Sequence, residues 1–461
     1  METQTMTIND LSIFPVLLAG GSGTRLWPIS RTQAPKQLAD IGDDASFLQK
    51  TIQRLESRLC LENVRVVCGK AHCEESSEHL AAIGLKTENK IISEPVGRNT
   101  APAILLAVLK ILEQTSVQDA LFFMLPADHV IEDVARFHKK IDQAVHLAQK
   151  GYLVTFGIQP DYPETGYGYI EGRQPVSENA LSIVRFVEKP DLETATAYLE
   201  AGNFFWNSGM FAFMASTILN EFRQFEPDML EKMMAIVKTG DPISGEAYQN
   251  LPNIAFDVAI MEKTSRGVVL PSDFGWSDIG TWHSLHAYMP KDRDGNVITG
   301  DVIANHTQNS LIVSKSRLVT VNDISDTAIV ETPDAVFISR LQTSRNVKDI
   351  VSMLKQQNRR ECHLNLLETY SWGQIQYLEK SNDLVVVKLL IKPRATYRML
   401  PNGANRLHVS LLAGNATITH SHVAHTLLTG NSLSLDVQND LSIKNTTNHD
   451  LIAIITHLEE A

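Results

Sequence analysis

Through the first 290 residues, short apolar runs alternate with longer stretches of helical spacing. Residues 14–18, 64–67, 121–125 and 154–156 are brief apolar runs that predict buried strands. Residues 101–112 and 137–147 repeat apolar positions three and four apart and predict helices. Strand and helix in alternation argue for an α/β domain around a mainly parallel, doubly wound sheet. After Pro290 the texture changes: Asp, Asn, Gly and Ser punctuate short β-branched runs at 297–303, 311–313 and 328–329. That spacing predicts a small β structure and leaves no room for a long helix before about Val347. A polar stretch at 355–361 reads as a linker or helix end. Beyond it, runs at 385–391, 409–412, 427–428 and 451–455, separated by Asn, Gly and Pro, predict an antiparallel sandwich or barrel. The expected domains are therefore 1–290, 291–355 and 362–461, with no internal repeat and no low-complexity segment.

Composition narrows the function classes. With 461 residues, 43% hydrophobic and 20% charged, the chain can bury a sizeable core and has no signature of disorder. Lys+Arg 41 against Asp+Glu 53 gives a net charge of −12, with no dense basic cluster, so nucleic acid is not an expected partner. No run approaches the ~20 apolar residues of a membrane span. No basic residue precedes Arg25, and Gly20-Gly21 breaks the first apolar run, so a secretory signal is not expected either. These features predict a cytoplasmic protein. Cys60, Cys68, Cys73 and Cys362 contain no Cys-x-x-Cys pair and read as free buried thiols.

The chemistry starts at Gly20-Gly21-Ser22-Gly23-Thr24-Arg25-Leu26-Trp27-Pro28, a glycine-rich loop that follows the first predicted strand. Glycines let backbone N–H groups approach phosphate oxygens, and a loop after a parallel strand lies at the ligand-binding end of the sheet. It is not a Rossmann fingerprint, because Leu26 stands where the third glycine is needed, and no Gly-Lys-Ser/Thr of a Walker loop is present. Arg25, and Lys36 within Pro35-Lys36-Gln37, add two cations suited to a polyphosphate. Asp128, in Leu125-Pro126-Ala127-Asp128-His129, should sit at the carboxyl end of its strand. Asp278 lies in Gly275-Trp276-Ser277-Asp278-Ile279-Gly280. One or two carboxylates together with substrate phosphates commonly hold Mg²⁺, although either aspartate alone would serve equally as a cap or turn residue.

Further motifs follow in order: 94–102 (Glu-Pro-Val-Gly-Arg-Asn-Thr-Ala-Pro), 166–170 (Gly-Tyr-Gly-Tyr-Ile), 186–190 (Phe-Val-Glu-Lys-Pro), 207–211 (Asn-Ser-Gly-Met-Phe) and 275–282. Together they resemble the mannose-1-phosphate guanylyltransferases of bacteria, in the long form fused to a type II mannose-6-phosphate isomerase. The resemblance implies a Rossmann-like nucleotidyltransferase domain, a short β segment of left-handed β-helix type and an all-β cupin-like barrel. It implies transfer of GMP from GTP to α-D-mannose 1-phosphate, with Mg²⁺ as cofactor, and is compatible with a homo-oligomer. By carry-over, Gly20, Gly21, Gly23, Thr24 and Arg25 wrap the GTP phosphates, and Lys36 lies near the α-phosphate. Glu94, Arg98, Asn99 and Thr100 meet guanine and ribose. Gly168, Glu188, Lys189 and Asn207 form the hexose phosphate pocket. Asp128 and Asp278 hold the metal, and Arg25, Lys36 and Lys189 carry catalysis. Two rival readings keep part of this: a nucleotidyltransferase for another base or hexose, and a non-catalytic sugar-nucleotide sensor. The intact cation and carboxylate set weighs against the sensor.

The resemblance fails in the barrel. Counted back from Gly414, the glutamate of the isomerase metal site is replaced by Leu407, and its histidines fall in 401–404 (Pro-Asn-Gly-Ala). Counted on from Gly430, the expected proline is Asp436, the glycine is Gln438 and the second-segment histidine is Leu441. Leucine cannot ligate a divalent cation, so no isomerase activity is expected. The barrel is then a scaffold, an oligomer contact or a module for another ligand. His408 reads as structural, and His420, His422 and His425 as a solvated polar edge.

Overall fold

The structure, a computed structural model, describes residues 12–21, 23–39, 45–363, 365–370, 372–380, 384–399, 405–437 and 441–459. The chain divides into two compact units, Met1–Leu26 with Pro35–Pro290, and Trp27–Ala34 with Lys291–Ala461.

The first unit is built on a nine-stranded sheet. Its strands are β1 (Ile13–Ala19), β2 (Arg65–Gly69), β3 (Ile91–Glu94), β4 (Leu121–Pro126), β6 (Leu153–Ile158), β7 (Gly168–Ser177), β8 (Ala180–Glu188), β9 (Phe204–Met214) and β10 (Gly267–Ser272). A separate two-stranded ladder joins β5 (Val130–Ile131) to β11 (Trp276–Ser277). The large sheet runs β3-β2-β1-β4-β9-β6-β10-β8-β7. Strands β3, β2, β1 and β4 are parallel, as are β6 and β10. Strand β9 is inserted antiparallel between β4 and β6, which the expectation of a mainly parallel sheet did not include.

Strand β1 is apolar throughout because both faces of the sheet are covered. Leu17 and Ala19 point into one core with α1 (Phe47–Gln53), α2 (Cys73–Ala82) and α4 (Val134–Gln149). Phe14 and Val16 point into the other with α3 (Thr100–Thr115). Helix α4 buries Phe137, Ile141, Ala144, Val145 and Ala148, one stripe at i, i+4 spacing. Helix α3 buries every residue from Ala101 to Val108, about two turns. Each large aliphatic side chain so buried contributes about 1.5–3 kcal/mol.

In the second unit, β12 (Val297–Thr299), β14 (Leu311–Ser314) and β16 (Thr327–Thr332) pair in parallel, as do β13 (Val302–Asn305) and β15 (Val319–Asn322). Successive short strands stacked in this way make a small coil of β-helix type, closed by the antiparallel β17 (Ala335–Arg340). Residues 27–34 belong to this unit. Arg31 is fully buried there and donates to both carboxylate oxygens of Asp334 at 2.7 Å, and to the carbonyl of Pro28. Trp27 Nε1–H donates to the carbonyl of Glu361 at 2.8 Å. After the helix Val347–Gln356, six strands and four strands form two antiparallel sheets around one apolar core, the cupin-like barrel. Among the described residues no helix is long and apolar enough to cross a membrane.

Candidate active site

The glycine loop leaves the carboxyl end of β1, where β4 runs alongside and the N–H of Ala127 donates to the carbonyl of Leu18. Asp128 follows at once. The ladder between β5 and β11, with Val130 opposite Ser277, draws the 275–282 motif back to the same place. Two aspartates 150 residues apart in sequence therefore flank one side chain, Lys36. Its ammonium donates to the carbonyl of Asp128 at 2.7 Å, to Asp128 Oδ2 at 2.9 Å and to the carbonyl of Asp278. Burial would raise the Asp128 carboxyl, but Lys36 and His129 outweigh it and hold the group below the ordinary carboxylate range. Burial pushes His129 down, and its Nδ1 accepts from Trp276 Nε1–H at 3.2 Å. Asp278 Oδ1 accepts from the Tyr167 hydroxyl at 2.7 Å and from the N–H of Gly280 at 2.8 Å. The Asp128 and Asp278 carboxylates and main-chain carbonyls are oxygen ligands of the kind a hard divalent cation takes, Lys36 contacting Asp128 Oδ2 and both carbonyls, and Tyr167 and Gly280 holding Asp278 Oδ1.

Gly23 has φ +56°, and a Cβ on it would lie 2.4 Å from Lys36 Cβ. The loop thus closes directly over Lys36, which only glycine permits at that φ. Gly20, Gly21 and Arg25 are exposed beside it.

The neighbouring strands supply the 94–100 segment. Gly69 of β2 pairs with Glu94 of β3, and the Glu94 carboxylate is buried, accepting from the Tyr248 hydroxyl at 2.8 Å. Burial raises it, and the Tyr248 hydrogen bond partly offsets this. Arg98 Nε is buried with no hydrogen-bond partner among the described residues. Asn99, at φ 66°, caps α3 through its Oδ1 and the N–H of Thr100. Thr100 Oγ1 accepts from the N–H of Phe256 at 2.8 Å. Asn99 and Thr100 therefore also have the structural roles of a cap and a loop tie.

Gly168, Glu188, Lys189 and Asn207 come together on β7, β8 and β9. Glu188 and Lys189 form an ion pair, and Lys189 is held at φ 48° while its N–H donates to the carbonyl of Tyr167 at 3.2 Å. A Cβ on Gly168 would lie 2.7 Å from Glu188 Oε2 and 3.5 Å from Asn207 Cβ, so any side chain there would fill the space these groups line.

Sequence reasoning assigned no role to Tyr167, Trp276, Tyr248 or Asp257. Tyr167 and Trp276 lie inside recognised motifs, which was the available signal; Tyr167, 111 residues from Asp278 in sequence, reaches it only in the fold. Asp257 opens a five-residue π-helix, Asp257–Met261, within an apolar stretch that marks nothing. The cysteines need correcting: Cys68 and Cys362 are buried, but Cys60 is exposed and Cys73 half-buried.

In the barrel, Leu407 and Leu441 are fully buried in the apolar core, while 401–404 and Gln438 lie outside the described residues. His408 is exposed and hydrogen-bonds Ser434 Oγ at 2.9 Å. His420 and His425 lie on the paired strands Ala416–His420 and Val423–Leu427, and His422 in the turn between them. Among the described residues no three His, Cys, Asp or Glu side chains group as a metal site.

Comparison with known proteins agrees with this architecture. A nucleotidyl transferase family model matches residues 14–295. The mannose-1-phosphate guanylyltransferase of Salmonella muenchen is 38% identical over 440 residues, covering 94% of this chain and 92% of that protein. The alginate biosynthesis protein AlgA of Pseudomonas syringae pv. tomato is 38% identical over 416 residues, covering 88% and 85%. A crystal structure from Thermus thermophilus, described as a mannose-1-phosphate geranyltransferase, superposes with a TM-score of 0.66 at 28% identity, covering 75% of this chain and all of that one. Relatives this similar, matched over nearly their whole length, show that the chain is a nucleotidyltransferase and belongs to the long mannose-1-phosphate guanylyltransferases, whose catalytic part continues into a cupin-like barrel.

Proposed function

We propose that the protein transfers GMP from GTP to α-D-mannose 1-phosphate, giving GDP-mannose and pyrophosphate, with Mg²⁺ as the divalent ion. The observation that carries this reading is the convergence of Lys36, Asp128 and Asp278 under the glycine loop. A phosphate oxygen of the sugar phosphate attacks the α-phosphorus in line; the new P–O bond forms as the bond to the β-phosphate oxygen breaks, and pyrophosphate leaves with the electron pair. No covalent enzyme intermediate is required, so catalysis is positioning and charge neutralisation. Gly20, Gly21, Gly23 and Thr24 present backbone to the triphosphate, and Arg25 neutralises the departing pyrophosphate. Lys36 sits at the α-phosphate. Asp128 and Asp278 would hold Mg²⁺, which supplies charge neutralisation between the two phosphate-bearing substrates. Glu94, Arg98, Asn99 and Thr100 receive the nucleoside, the Nε–H of Arg98, which has no hydrogen-bond partner among the described residues, being a donor available to a base acceptor. Lys189 pairs with the attacking phosphate, and Glu188 accepts sugar hydroxyls.

The barrel, on this reading, does not isomerise mannose 6-phosphate. Two positions that would need metal ligands carry Leu407 and Leu441, which fill its interior.

The test is pyrophosphate release by purified protein with Mg²⁺ and mannose 1-phosphate, GTP against the other nucleoside triphosphates, beside a coupled isomerase assay. Release favouring GTP, with no isomerase signal, is the expected result. Preference for another nucleotide or hexose refutes the specificity, GTP binding without release points to a sensor, and metal-dependent isomerase turnover refutes the reading of the barrel.

A further inference from the structure

The Asn207 amide is partly committed inside the protein. Its Oδ1 accepts from the N–H of Gly209 at 3.1 Å and its Nδ2 donates to Asp257 Oδ1 at 2.9 Å, while the Thr155 hydroxyl, whose proton goes to the carbonyl of Met210 at 3.1 Å, lies 3.4 Å from Oδ1. An amide offers two acceptor sites and two donors, so one N–H remains. Two fixed partners, the N–H of Gly209 and the Asp257 carboxylate, make Asn207 a strut, and what it holds is the carboxylate of Asp257.

Asp257 is positioned from two sides. Its own turn is tied to the nucleoside segment, since the N–H of Phe256 donates to Thr100 Oγ1 and the N–H of Ala101 donates to the carbonyl of Ile254. The π-helix that starts at Asp257 widens the backbone locally, a device frequent at functional sites. The carboxylate is within electrostatic range of both Glu188 and Lys189. Among the described residues no other side chain donates to its second oxygen, Oδ2.

The charge balance of this corner indicates what it takes. Glu188 has two further carboxylates within its electrostatic reach, Asp257 and Glu262, against the ammoniums of Lys189 and of Lys263, the latter paired with Glu226. A dianionic phosphate is accommodated only on the Lys189 side. The remainder is a surplus of acceptors, which suits a neutral group rich in hydroxyl donors. Resting on the sugar-phosphate reading above, we propose that Asp257 is a specificity-determining contact for the hexose ring, its Oδ2 accepting a hydrogen bond from one ring hydroxyl, and that Asn207 is a positioning residue that aims Asp257.

The experiment uses the full-length protein, wild type, Asp257→Asn, Asn207→Ala and the double variant, with mannose 1-phosphate and its monodeoxy analogues. The isosteric Asp257→Asn keeps an acceptor for Asn207 Nδ2, and an unchanged KM for GTP reports an intact fold. The expected KM for mannose 1-phosphate rises at least tenfold in Asp257→Asn. That difference from wild type should vanish on one deoxy analogue only, the one lacking the partnered hydroxyl. Asn207→Ala should raise the same KM with kcat changed less, and add nothing in the double variant, a non-additivity that an independent structural role would not give. Equal loss on every analogue, or additive losses, overturns the assignment while leaving the sugar-phosphate reading standing. No wild-type turnover of mannose 1-phosphate overturns both. The wild-type analogue series, where no single deletion dominates, would by itself refute a specific hydroxyl contact.

Discussion

Replacing Gly23 by Ala tests whether the glycine loop works by closing over Lys36. The new Cβ would lie 2.4 Å from Lys36 Cβ, 3.1 Å from its N and 3.3 Å from its Cα. Ordinary contact begins at 3.4 Å, so the two Cβ atoms must separate by about 1 Å. The obstacle is the root of the side chain and the main chain, which cannot swing aside as a side-chain tip could. An L-residue at φ +56° adds about 1–2 kcal/mol of backbone strain. A 1 Å shift also carries the ammonium out of range of the Asp128 carbonyl and Oδ2, now at 2.7 and 2.9 Å. Hydrogen bonds to charged groups are worth about 1.5–3 kcal/mol each. With both hydrogen bonds lost, urea denaturation should therefore show a loss of about 4–8 kcal/mol. Misplacing a reacting-site cation by 1 Å should lower kcat/KM for pyrophosphate release about 100-fold. Gly21→Ala is the stability control, because nothing lies within 4 Å of its Cβ, and it should unfold with the wild type. A Gly23→Ala protein that melts like wild type and turns over within threefold of it would refute the closure argument.

Three further outcomes follow from other parts of the molecule. Asp334→Ala leaves the fully buried Arg31 guanidinium without its two-pronged partner, which should destabilise the second unit by about 3–5 kcal/mol in urea, whereas Arg31→Met with Asp334→Leu should recover most of that loss; equal stability of all three proteins would contradict it. The Cys68 thiol donates to Cys73 Sγ at 3.7 Å and holds the Cys73 thiol down to about 6. Iodoacetamide at pH 7 should accordingly modify Cys73 about tenfold faster than the exposed Cys60 by peptide mass mapping, and Cys68→Ala should abolish the advantage. Burial, then the charge of Glu188, raises the Asp257 carboxyl from 3.8 to about 6. The folded state thus keeps a proton that the unfolded chain has released between those values, so stability falls as pH rises through that window and the full cost remains above about 6. Asp257→Asn should then be more stable than wild type by about 1–3 kcal/mol at pH 7 and indistinguishable from it near pH 3.5, and equal urea midpoints at pH 7 would speak against a raised carboxyl.

The parts of the fold legible in the sequence are those set by contiguous residues. The run 14–18 is apolar on both faces because β1 lies between two cores, the helix at 137–147 buries the stripe its spacing marks, and the helix at 101–112 is apolar and buried on nearly every side. Strand β9 was not legible, because Asn207, Ser208 and Gly209 interrupt its apolar residues for the sake of the site. Its antiparallel insertion depends on pairing with β4 and β6, far away in sequence. In the site, residue types were legible through their motifs, but partners were not. Nothing in 35–37 shows that the Lys36 ammonium lies against the main chain of Asp278, since that contact depends on the ladder between β5 and β11. The second unit hides its own link in the same way: Arg31 looks like a surface cation beside a phosphate loop, and Asp334, some 300 residues on, is what accounts for its burial.

Asp257 shows why such residues escape a reading of local pattern. A carboxylate raised by burial and by a neighbouring Glu188 weakens the fold at neutral pH. An asparagine would accept the same hydrogen bond from Asn207 Nδ2 without that penalty. Packing and local hydrogen bonding therefore favour the neutral side chain, and the negative charge needs another reason. A structural salt bridge would supply one, but the nearby ammonium of Lys189 is already paired with Glu188. On the proposal made above, that reason is an acceptor for a hydroxyl-rich ligand, a function that favours charge where stability does not, because a carboxylate accepts more strongly than an amide and offers no donor to compete.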